Sequence, residues 1–294
     1  MKTFTFLEPE SVAEAAQALH ERAGQAQAIA GGQSLLLAMK ERLATPSLLV
    51  SLSRVPELRG WRYAASGELV VGATTTYATL ADAAFSGWHA VLPAVAGDLA
   101  DRPVRTMGTV GGALCQAEPR FDMPPLAVGV DAQMQTVTVT RSRTLAASEL
   151  FKPEGGTTLG ADEILVSICF PPAERFTGVG FEKFRYRVFD AAILSATCAL
   201  RIDPGGRVDE ARIAIGAAGP APVLAAAAGQ LTGEVLTQQH VGDVAAAVRD
   251  EVFPAGSCTT ALRRYQRELV GVLTRRALAK AMHQPADDQA GSEP

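Results

Sequence analysis

The sequence has few of the residues from which metal centres are built. Of its 294 residues only four are cysteine and four are histidine. No two cysteines have the C-x-x-C spacing of zinc or iron–sulfur ligands, and the wide spacing is typical of reduced structural thiols. We therefore expect no metal site in this chain. The cysteines are Cys115, Cys169, Cys198 and Cys258.

Long apolar runs and an excess of basic charge are also absent. No apolar run approaches the roughly 20 residues that a membrane-spanning helix needs. The N-terminal stretch MKTFTFLEPE lacks the apolar region of a signal peptide. The net charge of -4 argues against a polyanionic partner such as nucleic acid. We expect a cytoplasmic protein.

The length and the 48% hydrophobic content predict two or three domains with sizeable cores. In the first, residues 1–55, strands and helices alternate. Ser11 and Glu14 have the spacing of a capping box ahead of the helix VAEAAQALHERA, which stops at Gly24. AQAIA and SLLVSL are typical of strands, and LLLAMKERL between them is typical of a helix. These segments predict a small β-α-β-α-β unit.

Residues 56–172 are richer in strands and are interpreted as a mostly antiparallel α+β domain. ELVVGATTTYATLADAAF predicts a strand, a turn and a helix, while MQTVTVTRS and EILVSICFPP each predict a strand.

PPAERFTGVG is interpreted as a linker to a third domain over 177–283. There SATCALRID and VDEARIAIGAAG form a hairpin around PGGR, and TTALRRYQRELVGVLTRRALAKAM is the last helix. The polar tail, 284–294, is predicted to be disordered.

Two glycine-rich segments stand directly before helix-forming sequence. AGGQS precedes LLLAMKERL, and MGTVGGAL carries three glycines and a threonine. A helix N-terminus presents unpaired N–H groups, which bind phosphate readily where glycine removes the side-chain barrier. Neither segment has the GxxxxGKS/T or the GxGxxG pattern, so a P-loop and a Rossmann fingerprint are excluded.

The chemistry of these segments leaves two alternatives open. In one, the loops clamp the two sides of a dinucleotide, and Asp122 accepts hydrogen bonds from sugar or ribityl hydroxyls. In the other, the first segment is a plain turn and the second serves close packing. Asp122 then only caps the helix that Pro124 and Pro125 open.

The order of the motifs resembles one family. The chain is similar, over nearly its whole length, to the FAD-binding medium subunit of molybdenum hydroxylases. This group contains carbon monoxide dehydrogenase, xanthine dehydrogenase and related bacterial aldehyde and N-heterocycle dehydrogenases. Seven motifs in this order carry the match: FTFLEPESVAEA, AGGQSLLLAMKERL, VGATTTYATLA, RTMGTVGGAL, FDMPPLAVGVDA, EILVSICFPP and FEKFRYRVFDAA.

The resemblance implies an α+β fold of the PCMH type, with a small α/β subdomain, a mostly antiparallel α+β subdomain and a C-terminal α+β subdomain. FAD is implied to lie non-covalently between the first two, with residues 30–35 and 108–113 on opposite sides of its pyrophosphate. Leu165 is implied to pack against the isoalloxazine, and Lys183 to lie near its pyrimidine edge. The residues implied to bind FAD are Ala30, Gly31, Gly32, Gln33, Ser34, Leu35, Thr74, Thr75, Gly108, Thr109, Gly111, Gly112, Ala113, Glu118, Asp122, Leu165 and Lys183.

The sequence departs from the family pattern at three positions. Ala113 stands where the second loop usually ends in Asn or Asp, which removes a side-chain hydrogen bond worth about 0.5–1.5 kcal/mol. Glu118 stands where Asp is common, and Phe181 where a Tyr often precedes the lysine. The Cys-rich insertion that holds an additional iron–sulfur cluster in some members is not found.

The resemblance also implies a function without catalytic residues in this chain. Substrate is hydroxylated at a molybdopterin centre in a large partner subunit. Electrons pass through [2Fe–2S] clusters of a small partner subunit to FAD in this chain and on to an external acceptor. A heterotrimer or a dimer of heterotrimers is implied. The alternatives are a stand-alone FAD-dependent reductase, for which no substrate-pocket constellation is found, and a flavin-free scaffold subunit, suggested by Ala113 and Phe181.

Overall fold

The computed structural model describes residues 1–283 of the chain. Three β-sheets follow one another along this part of the sequence, with three, five and four strands. The predicted α+β class is confirmed, whereas the predicted disordered tail, 284–294, lies outside the described residues. No helix in residues 1–283 is long and apolar enough to cross a membrane. The cytoplasmic location stays a prediction.

The first sheet is parallel and confirms the predicted β-α-β-α-β order. Its helix capping differs in detail, because the Glu14 carboxylate accepts the N–H of Glu10 (2.9 Å) rather than that of Ser11. The second helix ends earlier than predicted, since Arg42 has φ 64°. The elements are β1 (Thr5–Leu7), α1 (Val12–Glu21), β2 (Ala26–Ile29), α2 (Leu35–Lys40) and β3 (Leu48–Ser51), with β3 between β1 and β2.

The second sheet is antiparallel throughout, as predicted. Five helices separate its second and third strands. Its elements are β4 (Trp61–Tyr63), β5 (Leu69–Gly72), α3 (Tyr77–Ala81), α4 (Val91–Gly97), α5 (Arg102–Met107), α6 (Val110–Gln116), α7 (Met123–Gly129), β6 (Gln133–Val137), β7 (Ser142–Ala146), α8 (Ala147–Leu150) and β8 (Ile164–Phe170), and the strand order is β4-β5-β8-β6-β7.

The prediction of one strand over MQTVTVTRS is wrong, because the chain reverses in its middle. β6 and β7 pair as a hairpin, and the N–H of Thr138 donates to the carbonyl of Arg141 (2.7 Å). Thr138 Oγ1 accepts the N–H groups of Thr140 and Arg141. A threonine hydroxyl therefore closes a turn that contains neither glycine nor proline.

The third sheet is antiparallel and carries the predicted hairpin. Its first strand begins inside the segment predicted as a linker, so that linker is shorter than expected. The two long helices pack against the sheet. The elements are β9 (Gly178–Phe184), β10 (Leu194–Ile202), β11 (Val208–Gly216), β12 (Val223–Leu224), α9 (Gln238–Val252) and α10 (Ala261–Met282), in strand order β12-β11-β10-β9.

Close packing ties the third sheet to its helix and to the second domain. A Cβ on Gly180 of β9 would lie 1.9 Å from the carbonyl oxygen of Ala277, so α10 rests directly on this strand. A Cβ on Gly129, at the end of α7, would lie 2.6 Å from Cγ2 of Thr197 on β10. The largest apolar core accordingly includes Val179 of β9 with the helices of the second domain.

Candidate cofactor site

A cleft of about 690 Å³ lies where the three sheets meet. Its volume is within the range of ligand and cofactor sites. Residues 30–35 line it from the first domain, and residues 108–109 and 111–113 line it from the second. Residues 189–191 with Lys183 from the third complete it. We call the part contributed by the first domain the first wall, and the part from the other two the second wall.

In the first wall, the loop 30–35 leaves β2 and turns into α2. Gly31 contacts the second domain so closely that a Cβ there would lie 1.9 Å from the carbonyl oxygen of Met107. Gly32 has φ 69°, a conformation that favours glycine. Within the described residues, the N–H groups of residues 32–35 have no hydrogen-bond partner, and the hydroxyl of Ser34 makes no capping bond. The loop therefore presents a row of free donors to the cleft.

In the second wall, the loop 108–113 already uses most of its donors. The N–H of Gly111 donates to Ala73 O (2.9 Å), and that of Gly112 donates to Thr109 Oγ1 (3.1 Å), which caps α6. A Cβ on Gly111 would lie 2.6 Å from both Cβ and O of Ala73. Close packing therefore requires Gly111, and the N–H of Thr109 is the free donor among those of residues 108–113.

A charged cluster backs the second loop. Lys183 Nζ lies 2.5 Å from Asp122 Oδ2 and 3.3 Å from Asp98 Oδ2, and its side chain is only 7% exposed. Arg185 also pairs with Asp98, at 2.6 Å. Burial raises the pKa of Asp122, and the Lys183 ammonium opposes that rise. For Asp98, partial burial is outweighed by the hydrogen bond from Arg185 and the charge of Lys183, which hold its pKa below the usual value.

Two buried polar atoms at the cleft have no partner within residues 1–283. They are Tyr77 Oη and Asp122 Oδ1. The two residues are 3% and 4% exposed, and both line the cleft. Burial, followed by the negative charge of Asp122, raises the pKa of Tyr77, so its hydroxyl stays protonated. Buried polar groups are almost always hydrogen-bonded, so these atoms indicate a ligand.

Most of the predicted site residues line the cleft, including the buried Leu165, but Thr75 and Glu118 do not. The Thr75 hydroxyl is buried and donates to Gly60 O (2.8 Å), which directs it away from the cleft. Glu118 pairs instead with Arg120 (2.8 Å), whose side chain does line the cleft. As contacts to a ligand, both residues stay predictions.

Sequence reasoning missed several residues of the second wall. Tyr77 follows a threonine-rich turn and looked like an ordinary helix residue. Cys115, which is exposed, also lines the cleft. Phe189 and its neighbours come from the connection between β9 and β10. Only the adjacency of this connection to Lys183 could have indicated them.

The donor and acceptor set of the cleft fits a dinucleotide cofactor. Free N–H groups suit phosphate oxygens, and an unpaired buried carboxylate oxygen suits a hydroxyl donor. Residues 1–283 contain no group of three or more His, Cys, Asp and Glu side chains placed to hold a metal ion, and the absence of a metal site stays a prediction.

The sequence matches a known family over the walls of this cleft. Residues 2–173 match the FAD binding domain in molybdopterin dehydrogenase. The chain belongs to this family. Residues 180–281 match the C-terminal domain of the carbon monoxide dehydrogenase flavoprotein. The predicted family and its cofactor, FAD, are confirmed, and the chain is the FAD-binding medium subunit of a molybdenum hydroxylase.

Relatives of this flavoprotein chain match over almost their full length. The carbon monoxide dehydrogenase medium chain of Hydrogenophaga pseudoflava is 31% identical over 280 residues, which is 95% of this chain and 96% of the relative. The 6-hydroxypseudooxynicotine dehydrogenase complex subunit alpha of Paenarthrobacter nicotinovorans is 28% identical, covering 96% and 95%. The structure of quinoline 2-oxidoreductase from Pseudomonas putida 86 superposes with TM-score 0.85 at 31% identity, covering 96% of this chain and 98% of that one.

Proposed function

We propose that this chain holds FAD in the cleft between its first two domains, with the pyrophosphate on the free N–H groups of residues 32–35. The row of free donors is the observation that carries this proposal. The N–H of Thr109 approaches from the opposite wall. Leu165, which is 3% exposed, provides apolar contact to the ring system. When bound, FAD supplies redox chemistry that links one-electron donors to two-electron acceptors.

The chain's own residues orient the cofactor and exclude water around it. Asp122 and Asp98 fix the position of the Lys183 ammonium in the cleft, where it would face the pyrimidine edge of the bound ring. Because two carboxylates already pair with Lys183 and Arg185, the cluster carries no net charge. Lys183 therefore approaches the cofactor without adding an isolated positive charge, its Nζ already donating to Asp122 Oδ2 (2.5 Å) and to Asp98 O (3.1 Å).

We further propose that electrons arrive from [2Fe–2S] clusters of a small partner subunit and leave to an external acceptor, while a large molybdopterin subunit carries the substrate site. The names of the relatives, medium chain and complex subunit, support a multi-subunit assembly. A heterotrimer or a dimer of heterotrimers fits three kinds of subunit. Purification from the native host tests this, because recovery of the chain alone, without either partner, would contradict it.

A charge placed in the first loop tests the cofactor site. Ser34→Asp introduces a carboxylate beside the free N–H groups, where it repels the pyrophosphate, whereas Ser34→Asn has nearly the same shape without the charge. Both residues suit a helix N-cap, so both variants keep the fold. We expect Ser34→Asp to lose FAD affinity by more than about 100-fold relative to Ser34→Asn. Equal amounts of heat-released flavin in the two variants would refute the assignment of the loop.

A further inference from the structure

Tyr77 and Asp122 together present an unused donor and an unused acceptor to the cleft. Tyr77 Oη and Asp122 Oδ1 are the two unpartnered buried side-chain atoms of the residues that line it. The other oxygen of Asp122 accepts from Lys183 Nζ at 2.5 Å, so only Oδ1 is free. Leaving buried polar atoms without partners destabilises the protein, and a ligand that hydrogen-bonds to them removes that cost.

The protein holds Tyr77 in place before any ligand arrives. Its N–H donates to Gly108 O (3.0 Å), and its ring lies so near Gly108 that a Cβ there would be 3.3 Å from Tyr77 Cδ2. Thr76 caps the helix that begins at Tyr77, with Oγ1 accepting from the N–H of Thr79 (3.2 Å). The Tyr77 hydroxyl therefore cannot turn to a protein partner without displacing the second glycine loop.

The chemistry of FAD limits what can satisfy both atoms. A phosphate oxygen accepts from Tyr77 but is repelled by the Asp122 carboxylate, and a ring carbonyl satisfies Tyr77 alone, because the proton for Asp122 would have to come from a separate ring N–H. A hydroxyl accepts one hydrogen bond and donates another, so a single hydroxyl satisfies both.

We propose that Tyr77 is a cofactor-binding residue, donating from its hydroxyl to one sugar hydroxyl of FAD that in turn donates to Asp122 Oδ1. This inference rests on the proposed cofactor site and adds a contact by Tyr77, a residue to which the resemblance assigns no role. Two parts of FAD carry such hydroxyls, the ribityl chain and the ribose of the adenosine half.

Removing one oxygen atom tests the proposal in the full-length chain. FAD is stripped from wild type, Tyr77→Phe and the control Tyr63→Phe, and it is titrated back while flavin fluorescence is followed. Tyr63 is 44% exposed and lies outside the cleft. We expect Tyr77→Phe to weaken FAD binding about five- to tenfold and Tyr63→Phe to leave it unchanged. Unchanged affinity in Tyr77→Phe would overturn the proposal.

Thermal unfolding of the FAD-free proteins separates binding from a structural role. Because Tyr77→Phe removes a buried group that has no partner, the unfolding midpoint of the FAD-free variant should equal or exceed that of wild type. A lower midpoint with normal FAD affinity is the signature of a structural hydroxyl and would overturn the proposal. Failure of wild type itself to bind FAD would instead refute the proposed cofactor site.

The shared hydroxyl is tested by combining Tyr77→Phe with Asp122→Asn. If one hydroxyl bridges both residues, the loss of affinity in the double variant is smaller than the product of the single losses, and multiplicative losses would refute the bridge.

Binding of FMN and of ADP then distinguishes which part of FAD supplies the hydroxyl. A ribityl hydroxyl makes Tyr77→Phe weaken FMN binding, whereas a ribose hydroxyl makes it weaken ADP binding. An effect on neither would also count against the proposal.

Discussion

The two walls of the cleft differ although both carry a glycine loop before a helix. In the first wall, the donors of residues 32–35 are free and no charged residue of the first domain lines the cleft. In the second, Thr109 and Ala73 already accept the N–H groups of the glycines, and an ion pair lies behind the loop. Similar glycine-rich sequences thus form a loop with free donors in the first wall and a loop packed tightly against the protein in the second. We call the contact of the second loop with Ala73 the packing joint.

A glycine before a helix can have either of two roles, and the sequence alone does not distinguish them. A glycine at a binding loop lets a ligand approach the backbone, and its replacement affects affinity. A glycine at a joint lets two protein segments approach, and its replacement affects folding. The variants below test which reason applies at each position.

The largest effect is expected at the ion pair of the second wall. Lys183→Met leaves Asp122 buried without its cation, which costs about 3–5 kcal/mol of unfolding free energy near neutral pH. The pKa of Asp122, already raised by burial, rises further in this variant, so the folded state takes up a proton more readily than the unfolded state. The loss is therefore largest at high pH and shrinks as the pH falls.

Urea unfolding at pH 8 and pH 5 measures this dependence. The matched control is Lys183→Met combined with Asp122→Asn, in which no unpaired charge remains, and it should recover most of the lost stability at pH 8. A loss that is the same at both pH values would show that the ammonium does not stabilise a buried carboxylate.

Next come the glycines that pack closely against another segment, Gly31 in the loop of the first wall and Gly111 in that of the second. Gly31→Ala brings a methyl group against Met107 O, and Gly111→Ala brings one against Ala73. Because backbone atoms cannot move aside easily, each should cost about 1–3 kcal/mol. Gly219→Ala is the control, since nothing lies within 4 Å of its Cβ position. Chemical denaturation of the FAD-free proteins measures all three, and full stability of Gly111→Ala would refute the packing joint.

A smaller effect is expected at the residues that begin the two helices. Thr109→Ala removes an N-cap hydrogen bond and should cost about 1 kcal/mol of stability. Ser34→Ala removes a hydroxyl that caps nothing, so its stability should stay within about 0.5 kcal/mol of wild type, while FAD affinity falls about fivefold. Parallel unfolding and flavin titrations measure both. If Ser34→Ala lost stability but bound FAD normally, Ser34 would have a structural role and the first wall would not be the binding loop.

The smallest effect is expected at the ion pair between His20 and Asp162, which joins the first domain to the second. Nδ1 and Oδ2 are 2.8 Å apart, but the side chains are 53% and 27% exposed. Solvent weakens such pairs, so a double-mutant cycle with alanine at both positions should give less than about 0.5 kcal/mol. A coupling energy above about 1 kcal/mol would show that this pair stabilises the contact between the first two domains without the cofactor.

The fold was predictable where the sequence has clear periodicity. The strands and helices of the first domain and the hairpin of β10 and β11 follow from alternation and helix-forming composition. β4 was missed because its three residues are too few for a pattern, and the β6–β7 turn was missed because Thr138 replaces the usual glycine or proline signal.

The positions of the two glycine loops were predictable, but which of their residues contact the ligand and which contact the protein was not. The contact of Gly31 with Met107 joins segments far apart in the chain, so no local pattern encodes it. Thr74 and Thr75 look equivalent in the sequence and both donate their hydroxyls to backbone carbonyls, but only Thr74 lines the cleft. Tyr77 gave no signal, because a buried tyrosine becomes informative only when its lack of a partner is visible.

The absence of a side chain at Gly180 gives the cleft a dependence on a distant helix. Any side chain there would force β9 and α10 apart, and Lys183 lies on the same strand. Such a separation would move Lys183 relative to Asp122, whose Oδ2 lies 2.5 Å from Nζ. The position of α10 therefore determines where Lys183 lies in the cleft. Substitutions in the buried face of α10 can weaken FAD binding although every residue that lines the cleft is unchanged.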